Sequence, residues 1–178
     1  MTRLASSIEL LLRWDLALCL RCNEAVRHAG LRHLFRAVSR LGDGVFWYAL
    51  WLTLLCTFQE RAVLPIGHML IAGVACSLTY KWLKSKTLRP RPFAVHRAIR
   101  LAADPLDRYS FPSGHTLHAA AFTVIAVAYF PALALLLVPF SLLVALSRPV
   151  LGLHYPTDVI AGGGIGVLIA LLVLEISP

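Results

Sequence analysis

Eight residues in three short polar segments of an otherwise apolar chain have the types and spacing of a phosphate-handling site. Lys84 and Arg91 lie in KSKTLRPRP (84–92), Ser113, Gly114 and His115 in PSGH (112–115), and Arg148, His154 and Asp158 in SRPVLGLHYPTD (147–158). An arginine offers phosphate oxygens a planar fork of donors, and a lysine brings a mobile point charge. Pro90 and Pro92 stiffen the chain around Arg91. Their neighbours Lys81, Lys86 and Arg89 read instead as interfacial charges that snorkel or set topology.

Ser113 precedes an apolar helical run and reads as its N-cap, with Gly114 letting backbone approach a ligand. Helix N-termini bind anions through free amides and the positive end of the dipole. His115 falls in the first turn, where it could donate a proton. PSGH alone is equally the signature of a capped helix start. In the third segment Pro156 suits the first turn of a helix. Asp158, four residues past His154, can accept from one ring nitrogen and leave the other free as a nucleophile. A capping aspartate beside an interfacial histidine gives the same letters. His118, one turn beyond His115, reads as structural.

The elements that must bring these segments together are membrane helices. Of 178 residues, 58% are hydrophobic and only 15% charged, so the chain reads as an all-α integral membrane helix bundle. The net charge of +8 points to anionic lipid or phosphate rather than nucleic acid, because no basic run has interleaved aromatics. Within the N-terminal region 1–43, residues 5–41 alternate apolar and basic positions at helical spacing, with Leu11, Leu12, Leu16 and Leu20 on one face. They predict an amphipathic interfacial region ahead of a transmembrane domain at 44–178. Charges such as Arg13 and Asp15 interrupt any apolar core there, so no cleavable signal peptide is expected. Cys19 and Cys22 have C-x-x-C spacing but no second ligand pair, and they fit the same amphipathic pattern.

After Gly42-Asp43-Gly44, apolar spans are expected around 45–58 and 62–80, with a tight turn at 59–61. Leu117 to Leu146 is apolar for 30 residues. As one helix it would run about 45 Å, too long for a single crossing. Two short spans hinged at Tyr129-Phe130-Pro131 fit better, and residues 159–176 complete about five crossings. The hinge has a functional consequence. Only with a hairpin at Pro131 do all three polar segments emerge on one side of the membrane.

Lys84-x6-Arg91-Pro92, Pro112-Ser113-Gly114-His115 and Ser147-Arg148-x5-His154-x3-Asp158 together resemble the three signature motifs of the type 2 phosphatidic acid phosphatase family, in the family's order. Arg91 rather than Arg89 holds the first register, since pairing Arg89 would need lysine where Trp82 stands. The resemblance implies a lipid phosphatase with a phosphohistidine intermediate. Lys84, Arg91 and Arg148 would bind phosphate with Ser113 and the Gly114 amide. His154, oriented by Asp158, would attack phosphorus, while His115 would protonate the leaving oxygen and then activate water. One histidine must then be neutral and the other protonated, which implies a bell-shaped pH profile. No cofactor or metal is expected, because three cations and helix-end amides can carry the charge of phosphoryl transfer.

The small size and short spans resemble bacterial members that convert undecaprenyl diphosphate to undecaprenyl phosphate for the cell wall. Phosphatidylglycerophosphate, phosphatidic acid and lipid A phosphates are the alternatives, and residues 93–111 would cover the site without naming a head group. The resemblance places the motifs on the periplasmic face of the cytoplasmic membrane. Positive-inside counting opposes this, because the basic residues of 81–108 would share that face. Oligomeric state is not legible. A lipid-phosphate transporter is the rival from another class; it would need the basic pocket but no His154–Asp158 pair. Vanadate-holding halide oxidases resemble the motif set too, but they are soluble.

Overall fold

The structure, a computed structural model, describes residues 2–176, with side chains from Glu9 onward. Long helices dominate: α1 (Thr2–Asn23), α2 (Ala29–Arg40), α3 (Phe46–Phe58), α4 (Glu60–Thr87), α6 (Gly114–Tyr129), α7 (Ala134–Val150) and α8 (Pro156–Glu175), with a single turn α5 (Pro92–Val95) after the basic segment. Among the described residues there is no strand, only an isolated bridge between Pro90 and Tyr109.

Four stretches are long and apolar enough to cross a bilayer: Ala29–Phe58, Glu60–Thr87, Pro131–Val150 and Pro156–Glu175. The 16-residue α6, shorter than these four, lies among them and packs chiefly on α8, α4 and α7. The chain is an all-α membrane bundle. Its outer surface exposes Leu52, Ile71, Val74, Leu135, Leu142 and Leu172, as lipid rather than water requires. Inside, Trp47, Met69, Phe122, Ile125 and Leu137 join α3, α4, α6 and α7 in one core. Trp47 meets Phe122 edge-to-face, with ring centroids 5.2 Å apart.

The hairpin expected at Pro131 is present. α6 stops at Tyr129, a 3-10 turn occupies Pro131–Leu133, and α7 returns. Proline has no N–H to continue the helix, and one straight rod would overshoot the membrane. α6 and α8 then approach closely because α8 presents glycines to it. A Cβ on Gly162 would lie 2.6 Å from the Ser113 carbonyl, and one on Gly166 closer still to that of Leu117. That contact sets PSGH against the start of α8, where Ser113 N–H donates to Asp158 O (3.0 Å).

The N-terminal helices do not stand apart from the bundle. A π-helical turn, Leu41–Val45, joins α2 to α3, so the 43/44 boundary expected from sequence falls inside this turn. α1 exposes Leu11, Leu12 and Trp14 and buries Asp15, Cys19 and Asn23. Asn23 Nδ2 donates to Arg100 O and Val150 O, both at 2.9 Å, and Arg36 Nε donates to Ala102 O. The loop after α5 is therefore pinned by α1 and α2.

Candidate active site

The eight residues singled out from the sequence meet at one end of the bundle. Lys84 sits three residues before the end of α4, whose last turn closes on Leu88 in a left-handed conformation. Arg91 N-caps α5, Arg148 ends α7, and His154 lies in the tight turn between α7 and α8. Ser113 caps α6: its hydroxyl accepts from Thr116 N–H (3.5 Å) and pairs with the Thr116 hydroxyl (2.9 Å). Lys84, Arg91, Gly114, His115, Arg148 and His154 face one cavity of about 890 Å³. Ser113 and Asp158 stand behind it, both fully buried.

The tautomer of His154 follows from its neighbours. Arg91 donates from NH1 to His154 Nε2 (3.2 Å), so Nε2 carries the lone pair and the ring proton is on Nδ1. Nδ1 faces Asp158 Oδ2 at 3.7 Å, longer than the direct hydrogen bond expected from the i, i+4 spacing. The reason is competition. Oδ2 already accepts from Tyr155 N–H (2.8 Å) as a helix cap, and Oδ1 from Arg89 NH1 (2.6 Å). Burial, then Arg148, Arg91 and Lys84, push the His154 ring well below its ordinary value near 6.5, so it is neutral at pH 7.

Arg89 departs from the interfacial role its sequence context suggested. It bridges Asp158 and Asp15, the latter through NH2 at 2.6 Å, and stacks over Tyr155 with its guanidinium carbon 4.1 Å from the ring centroid. Burial opposes the charge on Arg89, but Asp158 and Asp15 outweigh it and raise its pKa. Asp15 also accepts from Thr157 N–H (2.9 Å), tying α1 to the first turn of α8. His118 bonds Gly114 O (2.8 Å) and Ser77 (3.2 Å), a structural placement between α6 and α4.

Three acidic residues went unrecognised in sequence. Asp107, in the loop after α5, accepts from Lys84 Nζ (2.6 Å) and Arg91 NH2 (2.9 Å). Ser110 N–H to Arg89 O (2.8 Å) folds that loop back onto the cations. Burial alone would raise the Asp107 carboxyl, yet Lys84 and Arg91 outweigh it and hold it below the ordinary range. Asp43 meets His115 Nε2 from the π-turn, and Asp15 supports Arg89. None of the three has a local spacing signal. Cys19 and Cys22 are free; burial foremost, with Cys22 and Asp15 beside it, pushes the Cys19 thiol up to about 12, too high for redox chemistry.

Away from the cations the cavity becomes apolar, lined by Trp47, Trp51, Met69 and Phe122. Its rim includes Tyr48, Leu70, Val74 and Leu78, all exposed on the outer surface of α3 and α4. A polar head and an apolar body, open toward lipid, match a phosphate attached to a hydrocarbon chain.

The chain is 28% identical to a lipid A 1-phosphatase of Rhizobium johnstonii over 81% of its own length and 67% of the relative's. It is 36% identical to a decaprenylphosphoryl-5-phosphoribose phosphatase of Mycolicibacterium smegmatis, over 71% and 68%. It is 33% identical to undecaprenyl-diphosphatase BcrC of Bacillus subtilis, over 62% and 58%. The crystal structure of a transmembrane PAP2-type phosphatidylglycerolphosphate phosphatase from Bacillus subtilis superimposes with a TM-score of 0.71 at 25% identity, covering 98% of this chain and 90% of that one. A sequence model of the PAP2 superfamily matches residues 61–178, the stretch holding every cavity-facing cation and both histidines, and the chain belongs to that superfamily as a membrane-embedded phosphatase.

Proposed function

We propose that this membrane lipid phosphatase hydrolyses a polyprenyl diphosphate, undecaprenyl diphosphate foremost, through a phosphohistidine at His154. The observation that carries the reading is the His154 ring itself. Its unprotonated Nε2, which accepts from Arg91 until a phosphate takes that donor, lies at the junction between a three-cation pocket and an apolar channel open to lipid.

The incoming phosphate displaces Asp107 and takes its place on Lys84 and Arg91, while Arg148 and the amides at the start of α6 receive the remaining oxygens. Nε2 then forms the bond to phosphorus as the bond to the leaving oxygen breaks. His115 gives that oxygen a proton. Asp158, behind Nδ1–H, stabilises the cationic ring. In the second half His115 takes a proton from water, the water oxygen attacks phosphorus, and the N–P bond breaks to release inorganic phosphate. The cations spread the developing charge, so no metal is needed for charge neutralisation.

The relatives named for decaprenyl and undecaprenyl lipids support a prenyl substrate. The lipid A and phosphatidylglycerolphosphate phosphatases define the competitors. Phosphate release in excess chelator should be measured from undecaprenyl diphosphate, phosphatidylglycerophosphate, phosphatidic acid and lipid A, with His154→Ala as control. Undecaprenyl diphosphate should be turned over fastest, and the variant should be inactive. Faster release from another lipid reassigns the substrate, magnesium-dependent activity removes the metal-free mechanism, and an active variant removes the phosphohistidine. We place the site on the outer face of the bacterial cytoplasmic membrane. A cysteine at the exposed loop position Asp104, in a background without other thiols, should be labelled from outside intact spheroplasts. Protection from that label reverses the orientation.

A further inference from the structure

The leaving oxygen needs a proton, and the group that supplies it must be held in place. We infer that Asp43 is the positioning residue of His115, forming a second histidine–aspartate pair in the site. The inference rests on the phosphatase reading above.

Asp43 Oδ1 meets His115 Nε2, and both side chains face the catalytic cavity. The carboxylate reaches the ring because of the turn that carries it. Leu41–Val45 is π-helical, and Gly44 has φ 137°, a conformation other residues adopt only under strain. A Cβ on Gly42 would lie 3.1 Å from Val144 Cγ2 and 3.8 Å from His115 Cδ2. The Gly-Asp-Gly stretch thus slots between α7 and the His115 ring, with the Asp43 carboxylate in contact with the ring nitrogen.

The same stretch carries a second contact to the site. Ser39, four residues earlier, accepts from Arg148 NH1 (2.6 Å). Residues 39 and 43 therefore brace one cation and one histidine from a helix that lies outside the matched family region. Chemically, a carboxylate on Nε2 keeps a proton there and leaves the other ring nitrogen to exchange protons. That nitrogen gives its proton to the leaving oxygen in the first half-reaction and takes one from water in the second. Asp43 itself gains and loses nothing.

Leaving-group dependence tests the assignment, because an acid catalyst matters most when the departing oxygen is strongly basic. Purified protein in detergent would be assayed with a long-chain alkyl phosphate, which leaves as an alkoxide, and with p-nitrophenyl phosphate, whose phenolate departs unaided. Asp43→Asn should lower kcat/KM, which reports the steps up to departure of the leaving oxygen, on the order of 10²-fold on the alkyl phosphate and far less on the aryl phosphate. In a His115→Ala background it should cost nothing further, since both changes remove one function. Asp43→Glu, which keeps the carboxylate, should retain more alkyl-phosphate activity than Asp43→Asn. Equal losses on both substrates, or additive losses with His115→Ala, overturn the assignment and leave Asp43 as a charge partner of Arg148. A wild type inactive on both esters and on undecaprenyl diphosphate overturns the phosphatase reading and this inference with it.

Discussion

Residues 84–158 and residues 15–43 meet at the same end of the bundle but do different work there. The first region supplies the groups that face the cavity: Lys84, Arg91, His115, Arg148 and His154. The second supplies groups that hold others in place. Asp15 braces Arg89 and through it Asp158, Ser39 braces Arg148, and Asp43 meets His115. A cluster of like charges around a buried imidazole is costly to assemble, since each cation disfavours the next. Asp107 offsets Lys84 and Arg91 from within the first region, and the N-terminal helices add Asp15, Asp43 and the Ser39 acceptor around the remaining groups. An N-terminal segment outside the matched region thus helps build the cavity end of the bundle.

The sharpest way to separate the two roles is Arg91→Ala. Removing one donor from a charge-stabilising site should lower kcat by about 10²–10³-fold. It should also leave a signature in pH. His154 must be neutral to attack, and burial, Arg148, Arg91 and Lys84 hold its pKa well below 6.5. The acid limb of kcat/KM reports the free enzyme, so in the wild type it lies below pH 6.5. Losing a positive neighbour favours the imidazolium, and the limb should move up toward 6.5 on the same substrate. An unmoved limb would show that Arg91 does not act on His154.

Asp15→Asn is the opposite case. The Asp15 side chain is 1% exposed and pairs with Arg89, so neutralising it should lower stability by about 3 kcal/mol, read as a lower unfolding midpoint in detergent. The rate should fall roughly tenfold as Arg89 and Asp158 loosen, an order of magnitude below a lost facing group. The pH limb should stay where it is, because Asp15 does not face the ring. A shifted limb would erase the distinction between facing and bracing groups.

Asp107→Asn carries the smallest expected effect, and it has the opposite sign. In the absence of substrate Asp107 occupies Lys84 and Arg91 and competes with the phosphate. Weakening that internal competitor should raise the share of binding-competent protein and lower KM, by roughly three- to tenfold. Inorganic phosphate should inhibit more tightly by a similar factor. A raised KM would mean that the carboxylate helps arrange the cations rather than competing for them.

Much of the site was legible before any coordinates. Lys84, Arg91, PSGH, Arg148, His154 and Asp158 lie in short segments whose chemistry follows from residue type and local spacing. The hairpin was legible too, because thirty apolar residues cannot cross a bilayer as one straight helix. Pro156 and Asp158 announce the start of α8 through helix-end chemistry alone. These are one-dimensional arguments, set by rise per residue, membrane thickness and capping.

Helix packing decided the rest. Arg89 looked like one more interfacial charge, and only the approach of α1 and α8 gives it Asp15 and Asp158, 74 and 69 residues away. Asp43 looked like a break between helices until the π-turn aimed it at His115. The Asp158–His154 bond that i, i+4 spacing suggested is stretched to 3.7 Å because Arg89 and the helix cap engage both carboxylate oxygens. A periodic apolar pattern states which face of a helix is buried but not which helix covers it. The sequence by itself therefore determined which residues could do the chemistry and that a hairpin would gather them on one side of the membrane. The tertiary structure decided what holds each of them in place.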